Sequence, residues 1–292
     1  MSLNMKKETI GKLLNKILNK IVSFKMEYFP FEESKGHYKN IYKIITPSKT
    51  YVLKKAKDYE LDIYSHTKGL PSIPKFYGSY HYYDHDYILF EFVDGHNVMK
   101  MDRSTLIKVV DAIITIQDEC WQTKEAFGES LEAALESRYK RLGYLPNGLK
   151  ETYEEYMACF KKTPVTFSHE DLLPFNVLIN KDRVCFIDLE VGGILPYPTM
   201  LARLIAHTND DKKAMFYLAK EDYAFAISYY YDNFIKNKGI NYDDYIKTMH
   251  LFIFNELIEW IYVYKKYNYS PNNFYNSYYQ KALLKIEELR RF

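Results

Sequence analysis

No stretch restricts this chain more than residues 167–190, FSHEDLLPFNVLINKDRVCFIDLE. Val177, Leu178 and Ile179 form one short apolar run, and Val184 to Ile187 form a second. Lys181 and Asp182 lie between them as turn residues, so the pattern predicts a β-hairpin. Such a hairpin brings the residue before its first strand, Asn176, close to the residue after its second, Asp188. His169 and Asp171 stand just upstream, completing an H-x-D-x-x-x-x-N string that runs into a buried strand ending in Asp.

These residue types suit the transfer of a phosphoryl group. That reaction asks for an acceptor hydroxyl held in line and for metal ions that neutralise phosphate charge. Asp171 is the candidate to accept the hydroxyl proton. Asn176 offers a carbonyl oxygen and Asp188 a carboxylate, both hard ligands of the kind Mg²⁺ takes beside phosphates. His169 is expected to hold the loop through backbone hydrogen bonds and not to act as a base.

With 292 residues, 47% of them hydrophobic, the chain can bury a substantial core and is near the size at which chains divide into two lobes. Its net charge of +2, with both signs dispersed, leaves no basic footprint for nucleic acid. Cys120, Cys159 and Cys185 are scattered without C-x-x-C spacing, which fits a reducing cytosol and neither a disulfide framework nor a zinc site. No apolar run reaches spanning length, and no signal-peptide pattern is present, so a cytoplasmic protein without membrane insertion is expected. Met1-Ser2-Leu3 reads either as native or as a cloning remnant, with Met5 the alternative start. The tyrosines, 30 in all, accompany abundant Asn, Lys and Ile, so they carry no functional weight of their own.

In chain order, residues 4–24 are predicted as a helix, with Ile10, Leu13, Leu14, Ile17, Leu18 and Ile21 on one face and lysines opposite. Packing against the neighbouring sheet is expected for it, ahead of a membrane or a calmodulin-like partner. Strands are predicted at Tyr28 to Phe31, Ile41 to Ile45 and Tyr51 to Leu53. The loop from Glu32 to Asn40, with its single Gly36, is a weak candidate for covering phosphates through backbone N–H groups. Alternation turns Val52 and Lys54 inward and Lys55 outward. An inward lysine is costly unless it meets a phosphate or carboxylate, and Glu60, on a short helix from Tyr59 to Lys68, is its natural partner.

Two further strands follow, Phe76 to Tyr83 and Tyr87 to Val93. The second stops at Asp94-Gly95, a connector where the Glu91 carbonyl and Val93 N–H are candidates to pair with a purine. Helices are expected at 102–120, 150–161, 199–208, 212–237, 243–266 and 274–290, and Gly192 to Pro198 as a loop. Glu256, Glu259 and Trp260 share one helix face. They read either as a receptor for an ammonium group or as a solvated Glu edge with Trp in the core.

Taken together, VLK at 52–54, Glu60, FEFVDG at 90–95, HEDLLPFN at 169–176 and IDLE at 187–190 resemble the aminoglycoside phosphotransferase and choline kinase superfamily. The resemblance covers about residues 25–265. It implies an α+β, protein-kinase-like two-lobe fold: a small lobe, 1–93, with a five-stranded antiparallel sheet, and a larger, mainly helical lobe, 94–292. It implies Asp171 as catalytic base, Asn176 and Asp188 as Mg²⁺ ligands, and Lys54, braced by Glu60, as the phosphate-holding lysine. Glu91 and Val93 would read the base of ATP or GTP, and Gly36 would lie in the loop over the phosphates. Expected partners are the nucleotide and a small-molecule acceptor, with no nucleic acid, in a monomer or homodimer.

The chain departs from the family in two places. Glu170 stands where Gly is common, and Met200-Leu201-Ala202 stands where Asp-Leu-Ala is common, the Asp usually steadying the catalytic loop. Glu190 is left with two readings, contact with metal or substrate, or bonds to loop backbone. A protein kinase is disfavoured, since Asp188-Leu189-Glu190 replaces D-F-G and no activation segment follows. A nucleotide-binding pseudokinase is the remaining alternative, and an intact Lys54, Asp171, Asn176 and Asp188 argue against it.

Overall fold

The computed structural model describes residues 5–30, 37–181 and 183–292. Helix α1 (Lys7–Leu18) leads into strands β1 (Lys25–Pro30), β2 (His37–Ile45) and β3 (Thr50–Lys55), helix α2 (Glu60–His66), and strands β4 (Phe76–Tyr82) and β5 (His85–Glu91). The five strands form one sheet in the order β1-β2-β3-β5-β4, every neighbouring pair antiparallel.

Alternation along these strands divides the sheet into two faces. Tyr42, Ile44, Tyr51, Leu53, Tyr87 and Leu89 point to one side, where Ile10, Leu13 and Leu14 of α1 cover them. Val52, Ile88 and Phe90 point to the other, into the main core. The amphipathic N-terminal helix is thus a sheet cover. It is shorter than its apolar periodicity predicts, because Asn19 adopts a left-handed φ of 50° and turns the chain away. Ile21, expected on the buried face, is 93% exposed.

After β5 the chain crosses to the helical part through β6 (His96–Asn97) and β7 (Lys100–Met101). Strand β6 pairs with a later strand at Ile179 and Leu178. This crossing requires Gly95, since a Cβ there would lie 2.8 Å from the Ile179 carbonyl oxygen. Helices α3 (Arg103–Glu119), α4 (Leu131–Leu142) and α5 (Asn147–Lys162) follow. Helix α4 carries too few apolar residues to show a clear period, and the sequence reading missed it.

The central stretch comprises β8 (Val165–His169), a 3₁₀ turn (Pro174–Asn176), β9 (Val177–Asn180), β10 (Arg183–Phe186) and β11 (Gly192–Pro196). β9 and β10 form the predicted hairpin. β11, expected as a loop, pairs with β8, placing Gly192 opposite His169. Its glycines serve close packing of backbones. A Cβ on Gly192 would lie 2.4 Å from the Ser168 carbonyl oxygen, and one on Gly193 would lie 2.6 Å from that of Glu129. Helix α6 (Pro198–Ala206), β12 (Tyr217–Leu218), and helices α7 (Lys220–Asn233), α8 (Tyr242–Lys266) and α9 (Asn273–Leu289) complete the chain. Helix α8 carries the longest buried face, from Tyr245 to Ile261, against α5, α6 and α9. Among the described residues no helix is long and apolar enough to cross a membrane.

Candidate active site

The loop between β8 and β9 is tied down from inside. His169 is buried, and burial pushes its imidazole below the usual histidine range, which keeps it neutral. Nε2 then donates to the Ile187 carbonyl at 2.9 Å, and Nδ1 accepts the Asp171 N–H at 3.2 Å. One ring therefore joins the start of the loop to the residue before Asp188. The Asn176 side-chain amide donates to the Asp171 carbonyl at 2.8 Å and to Asp171 Oδ2 at 3.2 Å. The Ile187 N–H donates to the Asn176 carbonyl at 2.9 Å. The hairpin thus brings Asp171, Asn176 and Asp188 to one end.

Asp188 sits at φ 63°, a left-handed conformation that Asp tolerates better than most residues. Its carboxylate meets Lys54 Nζ at 2.5 Å. Lys54 is buried and also reaches Glu60 at 2.9 Å and Glu190 at 3.0 Å. Helix α2 aims Glu60 at this point because Ile63 and Tyr64, one turn on, are buried, and Tyr64 stacks on Phe90 with ring centroids 5.0 Å apart. Burial works against both charges of the pair. Lys54 faces several carboxylates and is held protonated, well above the usual lysine range. Glu60, with no exposed surface, is pushed up by burial to about 7. Burial also opposes the charge of Asp188, but Lys54 holds its carboxyl below the usual range.

The Glu190 carboxylate binds Lys54 and, at 2.7 Å, Lys57, and among the described residues it makes no bond to loop backbone, one of its two readings. Its backbone carbonyl accepts the Tyr59 N–H at 3.2 Å, fastening this segment to the start of α2.

At the end of β5 the Glu91 carboxylate is engaged by Arg183 at 2.7 and 3.0 Å, and by the Lys75 N–H at 3.1 Å. The Val93 carbonyl accepts the Gly95 N–H, while the Val93 N–H has no protein acceptor among the described residues. A cavity of about 530 Å³ opens beside this connector, lined by Lys43, Ile45, Lys49, Thr50, Tyr77, Glu91, Phe92 and Asp94. It stops short of Lys54 and Asp171. Gly36 lies outside the described residues.

The opposite side of Asp171 contains a group that the sequence reading overlooked. Arg203 of α6 donates through Nη2 to Asp171 Oδ1 at 2.7 Å. Through Nη1 it reaches Glu256 Oε2 at 3.0 Å and also Glu259 Oε2. Burial opposes the guanidinium charge, yet Glu256, Glu259 and Asp171 hold it firmly protonated. Burial opposes the Glu256 charge too, and His207 with Arg203 overcomes it, leaving that carboxyl at about 2. His207, Glu256 and Glu259 have the spacing of a metal site, but the guanidinium already lies against both carboxylates. A signal for Arg203 was available: it is the only charged residue in PTMLARLIA, an otherwise apolar helix, and a buried charge needs partners.

The expected face of α8 is inverted relative to its bland reading. Glu256 is buried and Trp260 is 37% exposed, its indole against Phe274 and Tyr278. Glu170, at the position where glycine was expected, is bound to buried Arg138. Burial and that neighbouring carboxyl push Glu129 up to about 8.

A family model described as "Phosphotransferase enzyme family" matches residues 34–224. No curated protein matches the chain. Among solved structures, the choline kinase of Cryptosporidium parvum Iowa II is similar at 14% identity and TM-score 0.61, over 98% of this chain and 97% of that one. The aminoglycoside phosphotransferase of Alicyclobacillus acidocaldarius is similar at 12% identity and TM-score 0.61, over 100% of this chain and 95% of that one. An amicoumacin kinase in complex with AMP-PNP, Ca²⁺ and Ami is similar at 13% identity and TM-score 0.54, over 98% and 93%. At these identities the likeness shows a shared fold, the α+β kinase-like one.

Proposed function

Because this chain belongs to the phosphotransferase enzyme family, we propose that it moves the terminal phosphoryl group of ATP or GTP to a hydroxyl of a small, amine-bearing acceptor. The observation that carries this reading is the convergence of Lys54, Asp171, Asn176 and Asp188 at one end of the β9–β10 hairpin. Lys54 serves the phosphates and Glu60 braces it. The Asn176 amide nitrogen is committed to Asp171, so its side-chain carbonyl oxygen is the atom left to offer, beside the Asp188 carboxylate. Two hard oxygens at this position fit a divalent cation, which when bound would neutralise phosphate charge. Asp171 accepts the proton of the acceptor hydroxyl. The unengaged Val93 N–H and the Glu91 carbonyl serve the purine. We read the chain as two lobes, 1–93 and 94–292, with this site between them.

The acceptor class follows from charge. Asp171, Glu256 and Glu259 bring three acids to a single guanidinium. Half-exposed Glu259 and Trp260 form the open edge, and an ammonium group is favoured there both by charge and by the face of the ring. Small amino alcohols such as choline or ethanolamine, and aminoglycosides, meet that description.

The test is release of ADP and GDP with Mg²⁺ over a panel of choline, ethanolamine, thiamine, methylthioribose, homoserine and several aminoglycosides. Stimulation by an amine-bearing acceptor is expected. Glu259→Gln should raise KM for it by more than it lowers kcat. An unchanged KM would remove the amine, and a panel in which only uncharged alcohols respond would redirect the acceptor class.

A further inference from the structure

We propose that Arg203 is the positioning residue of the catalytic base, fixing the Asp171 carboxylate through its own oxygen; this rests on Asp171 being that base. Position 200, where a loop-steadying acid is common, holds a fully buried Met that offers no charge or hydrogen bond. The loop is steadied instead from the side chain of Asp171.

The geometry is that of a fork fixed at its root. Glu256 is buried on α8 and is itself gripped by the Asn255 side chain at 3.0 Å. Together with Glu259 it holds Nη1 of Arg203, which leaves Nη2 directed at Asp171 Oδ1 at 2.7 Å. The second oxygen of Asp171 meets the Asn176 amide at 3.2 Å. Among the described residues each oxygen therefore has one protein donor, and the plane of the carboxylate is set by two elements, α6 and the 3₁₀ turn. A carboxylate oxygen carries two lone pairs, so one remains on each for the acceptor hydroxyl. A lysine in place of Arg203 would keep the charge next to Glu256 and Glu259. Its ammonium is a point charge without arginine's rigid planar fork, so it can neutralise these acids but cannot fix the direction of the Asp171 carboxylate.

Arg203→Lys therefore separates charge from geometry. Rates are read as ADP release from Mg-ATP with whichever acceptor stimulates the wild type, or with water as acceptor if none does. The expected result is a kcat lowered by about 10²-fold, the cost of a misplaced reacting group, with KM for acceptor and Kd for Mg-ATP within about twofold of wild type. Tm should stay near wild type, while Arg203→Met, which strands buried Glu256, should lower it. On an Asp171→Asn background, Arg203→Lys should change the residual rate by less than about twofold, because the group it positions is gone. A kcat for Arg203→Lys within about threefold of wild type would overturn the proposal. So would a rise in KM alone, which would make Arg203 an acceptor contact, or a loss of kcat that tracks Tm across Lys and Met, which would make it merely structural. If Asp171→Asn keeps the wild-type rate, it is the assignment of the base that has failed. If that variant collapses and Arg203→Lys does not, only the present inference has failed.

Discussion

Two largely buried cations, Lys54 and Arg203, hold the acids of the candidate site, and each is surrounded by three carboxylates. Lys54 meets Glu60, Asp188 and Glu190 at 2.9, 2.5 and 3.0 Å. Arg203 meets Asp171, Glu256 and Glu259. The chemistry of the two clusters differs despite the matching count. An ammonium is a point charge with no fixed directions, and Asp188, its closest partner, is 43% exposed in a left-handed turn. That cluster can exchange partners when phosphate and a cation arrive. A guanidinium holds its acids in a plane, and Glu256 behind it is 9% exposed in its side chain. That cluster is built to stay put. An excess of acid keeps both cations charged, while the shape of the cation decides whether the arrangement is a switch or a mount.

The largest effect expected is at Asp171, the member of the Arg203 cluster read as the base. Asp171→Asn should lower phosphoryl transfer by about 10³-fold while leaving Mg-nucleotide affinity nearly intact, as measured by single-turnover kinetics and calorimetry. Near-normal turnover would break the assignment of the rigid side to the base. Next, Asp188→Ala should weaken Mg-nucleotide binding itself by about tenfold or more, which is about 1.4 kcal/mol or more. Unchanged affinity would mean that the adaptable side does not exchange partners with the ligand.

Stability separates the two clusters further. Removing the cation from a buried pair usually costs about 3–5 kcal/mol. Lys54→Met should fall short of that range in urea unfolding at neutral pH, since burial already pushes Glu60 up to about 7 and it can stay protonated. Arg203→Met has less such relief, because His207 still holds the Glu256 carboxyl down once the guanidinium is gone. Equal losses would erase the distinction.

The smallest effects lie in pH dependence, where the two acids act with opposite sign. Glu256 falls from an ordinary 4.5 to about 2, so its contribution to stability is present above pH 4.5 and is lost as pH drops toward 2. Glu60 rises from 4.5 to about 7, so the folded state binds the extra proton between those values, and its contribution is full below 4.5 and lost as pH climbs to 7. Glu256→Gln should flatten the acid limb of the stability profile, and Glu60→Gln should remove the decline between about 4.5 and 7, without altering the other limb.

Much of this arrangement was legible in local order. The hairpin at 177–186 and the inward turn of Lys54 toward Glu60 follow from period-2 alternation, which any strand imposes on its side chains. The helix of residues 4–24 was overrun because periodicity marks a face and not an end, and the end came from the backbone of Asn19. β11 was read as loop because glycines weaken strands. Here they admit three backbones passing within reach of one another, a crowding visible only once β8 and the Glu129 segment are in place.

Local sequence set the residue types at the hairpin end, the strand faces, and the order lysine, glutamate, then Asp171, Asn176 and Asp188, because each depends on neighbours a few positions apart. Tertiary structure alone decided what those charges meet. Arg203 lies 32 residues from Asp171 and 53 from Glu256, and Lys54 lies 134 from Asp188. No local periodicity couples positions so distant; they are matched because a buried charge is stable only where packing brings an opposite one beside it.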